Sequence, residues 1–195
     1  MKPTVGSTLC QPAALAAGVT VGLIAGTVRI LNGNVVELRQ DLSFASPHRL
    51  GLVLAATYNR QSGKPGSMGH GWTHIYEVAL QSGTFLGFDY ICIVDDTGRA
   101  AYFIKLFGNL YMGMTGERSM VVADADGYIW YRFDGLIYGF SSSGRLDWIS
   151  DENQNRLELI YDAQSRLNAV IDNSSGRMLT FHYHADHGFV EKISG

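Results

Sequence analysis

Three histidines near the carboxyl end, His182, His184 and His187, spell H-x-H-x-x-H, and two more, His70 and His74, flank Trp72 with Glu77 close behind. Imidazole nitrogens bind borderline metal ions and move protons near neutral pH, so these two groups are where a metal centre or a general base would begin. On a strand His182 and His184 share a face, near enough to hold one ion. No cysteine or further histidine stands beside them, however, and Asp186 falls in a turn. The plainer reading is two exposed strand residues and a turn residue. His70 and His74 would meet on a helix, yet Gly69, Gly71 and the β-favouring run Trp72–Tyr76 oppose a helix there. The glycines of that turn allow tight backbone passage, and Trp72 is expected to plug the core. Ser141-Ser142-Ser143 has no base that the sequence assigns. Asp95/Asp96, Asp124/Asp126 and Asp151/Glu152 sit at hairpin tips, where aspartate closes turns with its own side chain. Asp124–Asp126 alone would offer a weak oxygen cluster to Ca²⁺. G-x-S-x-G, a Walker loop and H-E-x-x-H do not occur. The expectation is no catalytic residue, no bound metal and no cofactor.

The elements that would position these groups are β-strands. The 195 residues suit one domain or one domain with an appendage, and are enough to bury a sizeable core. Fifteen Lys+Arg against eighteen Asp+Glu give a net charge of −3, with no basic cluster, which argues against a nucleic-acid surface. Aromatics at 11% and four prolines argue against disorder. Cys10 and Cys92 cannot by themselves build a disulfide framework or a structural zinc site. From Pro3 to Val28 there is no charge, and Gly18, Gly22 and Gly26 fall four apart. A membrane span, a signal sequence and a buried lead-in all fit such a stretch. The buried lead-in is preferred, because glycine weakens helices and valine and threonine favour strands.

After Val28, runs of strand formers alternate with Gly, Asn, Asp and Ser about every ten residues. Strands are expected at 27–31, 35–42, 52–58, 74–80, 90–94, 101–106, 120–123, 128–133 and 136–140, then at 145–149, 156–161, 167–171, 178–183 and 190–193. Asn32-Gly33, Asp126-Gly127, Asp134-Gly135 and Ser143-Gly144 are turn signals, since these residues accept positive φ cheaply. No 3.6-residue apolar period is sustained. The fold class is all-β, an antiparallel hairpin or meander sheet.

The last sixty residues repeat. Tyr138, Tyr161 and Tyr183 recur 23 and 22 residues apart, each followed by a polar turn and an apolar pair: Leu146/Ile149, Leu167/Val170 and Val190/Ile193. The alternating strands Leu157/Leu159/Tyr161 and Leu179/Phe181/Tyr183 place these residues on one face. The unit is a hairpin of about 22 residues, too small to bury its own apolar face, so units must stack side by side with tyrosine lined up beside tyrosine.

Tyr161-Asp162-Ala163-Gln164-Ser165-Arg166-Leu167 resembles the YD repeat of Rhs proteins. Ser143-Gly144-Arg145-Leu146 and Ser175-Gly176-Arg177-Met178-Leu179-Thr180-Phe181 are similar to its "GRL" and "GRxLTF" segments. Upstream, Asp41-Leu42, Thr57-Tyr58-Asn59-Arg60, Gly69-His70-Gly71-Trp72 and Asp96-Thr97-Gly98-Arg99 before Tyr102-Phe103 resemble the family's lead-in. The likeness covers residues 27–195. It departs at Ala56-Thr57, where the family has an arginine before the tyrosine, at Ser165 (glycine) and at His184 (aspartate). No toxin or self-cleaving segment has a counterpart here. The resemblance implies an opening section of a β-cocoon shell, organised as an apolar segment 1–27, an N-terminal β-domain 28–135 and YD repeats 136–195. It implies a structural role, enclosing and helping deliver a C-terminal toxin or partner polypeptide. The expected partners are the rest of the shell, its cargo or a secretion machinery, in a bacterial protein that is secreted or at the cell surface and cytoplasmic before export. The alternative is a carbohydrate-binding surface module using exposed aromatics such as Trp130. Repeat-structural residues are then Tyr138, Gly144, Arg145, Leu146, Tyr161, Asp162, Arg166, Leu167, Gly176, Arg177, Phe181 and Tyr183. The lead-in motif is Asp41, Tyr58, Arg60, Gly69, Gly71 and Trp72.

Overall fold

A computed structural model describes residues 23–24, 28–29, 34–44, 50–60, 62, 65–114 and 116–195. Every element among them is a strand, and none is a helix. The first seven are β1 (Leu23–Ile24), β2 (Val28–Arg29), β3 (Asn34–Ser43), β4 (Val53–Asn59), β5 (Pro65–Gly66), β6 (Gly69–His70) and β7 (Trp72–His74). β1, β2, β3, β4 and β7 form one antiparallel sheet in that order, and β5 pairs with β6.

The rest is a single meander. It comprises β8 (Ala79–Phe85), β9 (Phe88–Val94), β10 (Ala100–Phe107), β11 (Leu110–Gly113), β12 (Met120–Ala123) and β13 (Gly127–Tyr131). It continues with β14 (Ile137–Ser141), β15 (Leu146–Ser150), β16 (Arg156–Tyr161), β17 (Leu167–Asp172), β18 (Met178–Tyr183) and β19 (Val190–Ser194). These twelve strands pair with their sequence neighbours in one sheet. The chain is therefore all-β and antiparallel, as the residue pattern predicts.

One face of this sheet is apolar along its whole length, since alternate residues of each strand point the same way. Ile91, Ile93, Phe103, Val121, Trp130, Phe140, Leu146, Leu157, Val170 and Leu179 are buried on it. A flat sheet would leave that face wet. Right-handed twist and recurrent bulges curl it instead. The bulged residue is Asp147 against β14, Asn168 against β16 and Glu191 against β18, one per hairpin unit. The curl brings β8 back onto the turn between β14 and β15: the Leu80 amide donates to the Gly144 carbonyl at 2.9 Å, and Ala79 bridges Arg145.

The lead-in fills the concave side. Leu50, Leu52, Leu54, Tyr76 and Val78 join the core of the meander. Tyr76 meets Phe181 edge-on at 6.4 Å, and its hydroxyl donates to the Val53 carbonyl at 2.6 Å. At one end Thr73 donates to the Asp96 carbonyl (2.6 Å) and Asn59 to the Thr97 carbonyl (3.3 Å); at the other, the Val190 amide donates to the Ser67 carbonyl (2.8 Å).

Three expectations need correction. The strand expected at 74–80 is two strands, because Glu77 turns the chain: its carboxylate accepts from the Ser67 amide (2.7 Å) and the His74 amide (3.2 Å). The strand Leu110–Gly113 and most of Ala79–Phe85 escape the sequence reading, as glycine weakens the strand signal in both. Gly83 lets the Tyr90 side chain lie across the strand, its hydroxyl 2.9 Å from where a Cβ would stand. Trp72 does not plug the core. It is half-buried on the lead-in sheet, and His74 and Tyr76 fill the core in its place. The Asn32-Gly33 turn, Cys10 and the expected lead-in 3–28, apart from Leu23–Ile24 and Val28, lie outside the described residues. No described helix is long and apolar enough to cross a membrane.

Candidate functional site

Two successive hairpin units each place the arginine of their closing turn on the tyrosine of the next unit. In the turn after β16, Asp162 Oδ1 accepts from the amides of Gln164 and Arg166, both at 2.9 Å, and Oδ2 accepts from Arg166 Nε at 2.8 Å. Those bonds, led by the Arg166 amide, hold the Asp162 carboxyl below its usual range. Fixed by the carboxylate, the guanidinium lies 4.5 Å from the centre of the Tyr183 ring in the next unit. The ring's negative face attracts the cation, and the arginine stem covers the ring from water. The Tyr183 hydroxyl in turn donates to the Leu167 carbonyl at 2.8 Å. Burial pushes the Tyr183 pKa up to about 12, so the phenol stays neutral and donating.

The preceding unit repeats this with different parts. Arg145 lies 4.3 Å from the Tyr161 ring centre, and Tyr161 donates to the Leu146 carbonyl at 2.6 Å. Ser141 stands where Asp162 stands one unit later, so the carboxylate that holds Arg145 is Asp147, at 3.1 Å. The expectation that tyrosine would line up against tyrosine is thereby refined: each ring meets an arginine from the turn before it. Tyr138, expected as the first tyrosine of the repeat, is not the counterpart of Tyr161: Phe140 holds that place opposite Leu146, as Tyr161 does opposite Leu167, and Tyr138 stands two positions earlier. Arg132 covers both Trp130 and Tyr138, donates to the Tyr138 hydroxyl at 3.2 Å, and pairs with Asp134 at 2.8 Å. In the last turn the ladder changes. His184 Nδ1 accepts from the Asp186 amide at 3.2 Å, and Phe189 occupies the place of Arg166.

The turns require one left-handed residue ahead of the arginine or its counterpart. It is Gly144 (φ +81°), Ser165 (+61°) and Gly188 (+69°) at one end of the sheet, with Gln154 (+64°) and Gly176 (+71°) among those at the other. Gly176-Arg177 closes the β17–β18 turn, with the Arg177 guanidinium 5.8 Å from the Phe44 ring. Phe181, two strand positions before Tyr183, is buried against His74 and Tyr76.

The same arrangement recurs in the lead-in. Asp41 holds Arg39 through bonds of 2.7 and 2.9 Å, and Arg39 lies 5.3 Å from the Trp72 ring centre, which packs on Tyr58 at 5.3 Å. Gly71 (φ +75°) is forced, because a Cβ there would sit 2.9 Å from the Tyr58 ring. Gly69 also takes positive φ but faces open space. Arg60 contributes its amide, donating to the Val35 carbonyl at 3.1 Å. Tyr58, Gly71, Trp72 and Asp41 are thus one assembly, joined by Arg39, which sequence reasoning missed. The signal was Arg39-x-Asp41, the same spacing as Arg145-x-Asp147.

Between the lead-in loop and the three closing turns lies an open cavity of about 540 Å³, edged by Glu77, Arg145, Tyr161, Arg166, Tyr183 and Phe189. Ser67, His74 and Glu77 meet at its base in a composition that invites a nucleophilic reading. The hydrogen bonds oppose it. His74 Nδ1 accepts from the Tyr76 amide at 3.3 Å, so the proton of the neutral ring sits on Nε2, the nitrogen facing Ser67 Oγ at 3.2 Å and Glu77 at 3.8 Å. A base for serine needs that nitrogen bare. Burial lowers the His74 pKa, which keeps the ring neutral.

The other candidates disperse. His70 is exposed while His74 is buried, so the pair does not meet. His182 bonds Ser194 at 3.2 Å, and it is His184 and His187 that come together, stacked at 4.0 Å with 9° between the rings. Both present Nδ1 as acceptors to backbone amides. Among the described residues no group of three metal-binding side chains gathers. Asp95, Asp124 and Asp151 accept from amides of their own turns. Trp130 is buried and donates to Ser119 Oγ at 2.8 Å. Trp148, on the opposite face, is half-buried: it lies where a Gly139 Cβ would stand, and Arg156 stacks on it at 4.3 Å.

A family model described as a domain of unknown function, DUF6531, matches residues 25–103, from β2 of the lead-in sheet into the first half of β10. No curated protein matches the chain.

Proposed function

We propose that this chain is a structural wall section of an Rhs-type, tyrosine–aspartate repeat shell, which encloses a toxin or another polypeptide and helps deliver it. The observation that carries this reading is the clamp from unit to unit: Asp162 holds Arg166 over Tyr183, and Asp147 holds Arg145 over Tyr161. A joint in which each turn supplies the cover for the next unit's ring grows by addition, and its product is a continuous wall with one apolar face. The lead-in, folded into the concave side, starts and plugs that wall. Its partners are protein: further shell, cargo and export machinery, in a bacterial secreted or surface setting. Enclosure rather than turnover is the work, in keeping with the Nε2 proton of His74 and the turn bonds that occupy the aspartates. A carbohydrate role is less favoured, because Trp130 is buried and Arg156 already stacks on Trp148.

Enclosure is testable on arrays. Chains extended by increasing numbers of copies of Asp162–Tyr183 and fused to an unfolded, trypsin-sensitive polypeptide should lengthen the half-life of that passenger with each copy. A half-life equal to that of the free passenger at every length overturns the proposal. Ester, peptide or glycoside hydrolysis abolished by mutating His74, His182 or His184 would overturn it as well.

A further inference from the structure

Cys92 sits in the middle of β9, and its thiol is oxidised to a disulfide. Its neighbours Ile91 and Ile93 belong to the core of the meander, so strand alternation turns Cys92 to the opposite face. There it is registered between Gln81 of β8 and Tyr102 of β10. Those two residues, with Tyr90 and Val94 along β9, are partly exposed, yet Cys92 is 0% exposed. A sulfur bonded to Cys92 must stand on that outer face, over the row Gln81, Cys92, Tyr102. The chain has one other cysteine, Cys10, within the uncharged stretch from Pro3 to Val28.

We propose that Cys10 and Cys92 form one intramolecular disulfide, which fastens the uncharged N-terminal stretch to the outer face of β8–β10. Chain length permits it. Cys10 precedes Leu23, the first residue of β1, by 13 positions. That gives an extended reach of about 45 Å, whereas neighbouring strands lie about 4.8 Å apart. The bond forms by exchange with a small-molecule disulfide such as oxidised glutathione. One cysteine thiolate attacks that disulfide and displaces one glutathione; the second thiolate then displaces the other. Two thiols are oxidised, one glutathione disulfide is reduced, and the two protons end on the released glutathiones. Such a bond persists in an oxidising compartment rather than in a reducing cytosol. It runs from ahead of the lead-in sheet to the second strand of the meander, so it links the two sheets covalently from the side away from their shared core. The inference is independent of the shell reading.

The test is non-reducing peptide mapping of the whole chain after equilibration with oxidised glutathione. Trypsin does not cut before Pro3 or Pro65, so Cys10 falls in the peptide 1–29 and Cys92 in the peptide 61–99. The two peptides should leave as one species, from a chain that runs as a monomer, and separate on adding dithiothreitol. The map uses the wild-type chain and decides the pairing whatever the stability of a variant. Cys10→Ser should then lower the urea midpoint, because the unfolded chain is no longer closed into a long loop. Separate peptides with both thiols free, a reductant-sensitive dimer joined through Cys92, or a midpoint of Cys10→Ser equal to that of wild type would each overturn the proposal.

Discussion

The guanidinium of Arg166 lies 4.5 Å from the centre of the Tyr183 ring, seventeen residues along the chain, while its Nε stays bonded to Asp162. One side chain thus closes its own turn and roofs the neighbouring unit. Arg166→Ala should cost about 1 kcal/mol. Arg166→Lys should cost nearly as much, because an ammonium cannot fork to the carboxylate and lie flat on the ring together. A cycle pairing Arg166→Ala with Tyr183→Leu, read by urea unfolding, should show coupling of about 1 kcal/mol. Simple additivity would mean that the stack adds nothing.

The return of β8 onto the β14–β15 turn depends on Gly144. A Cβ there would stand 1.9 Å from the Leu80 carbonyl oxygen, at φ +81°. Gly144→Ala should therefore destabilise by about 3 kcal/mol, combining backbone strain with a clash that must open the contact. Gly188→Ala faces open space at φ +69° and should cost only about 1 kcal/mol. Equal losses in the two variants would show that closure at Gly144 is not under load.

Among the described residues three turns keep a side chain where the backbone is left-handed, Leu86 at φ +50°, Gln154 at +64° and Ser165 at +61°. Ser165→Gly and Gln154→Gly should each stabilise the chain by roughly 0.5 kcal/mol, the relief of strain exceeding the added flexibility of the unfolded state. Urea midpoints that fall in both variants would contradict the turn geometry.

His74 should make folding sensitive to acid. The ring is 1% exposed, packed on Phe181 and Tyr76 and faced by Ser67 and Glu77; burial lowers its pKa from 6.5, and Glu77 opposes only in part. The unfolded chain takes up a proton as the pH falls through about 6.5, whereas the folded chain resists until lower pH. Stability from this group is complete above that value and is lost on the way down. Urea midpoints at pH 7.5 and 5.5 should therefore differ for the wild type and converge in His74→Gln. An unchanged pH slope in the variant would place the acid sensitivity elsewhere.

Much of the architecture was legible because hairpins signal locally. Alternation at Leu157/Leu159/Tyr161 and turn pairs such as Asp134-Gly135 are short-range features, and the strands that carry them stand where expected. The spacing of Tyr161 and Tyr183 revealed the unit as well. Sequence could not reveal what meets each ring, because the arginine comes from the preceding turn, sixteen or seventeen residues back along the chain. The split at Ile75–Val78 was hidden for a similar reason. Those residues favour strand, and the bend is imposed by Glu77 reaching back to Ser67. Trp72 misled because size suggests burial, whereas Arg39 and Asp41 suit it to a half-exposed seat.

The account stands on hairpin units that add laterally, each roofed by its predecessor. Inserting a second copy of Asp162–Tyr183 directly after Tyr183 adds one complete unit with its own aspartate, arginine and tyrosine. Native-state hydrogen exchange on this chain should find the inserted strand amides as protected as those of β16–β18, with the urea midpoint equal to or above that of wild type. Inserted amides that exchange as freely as a loop, alongside a lowered midpoint, would contradict the lateral array.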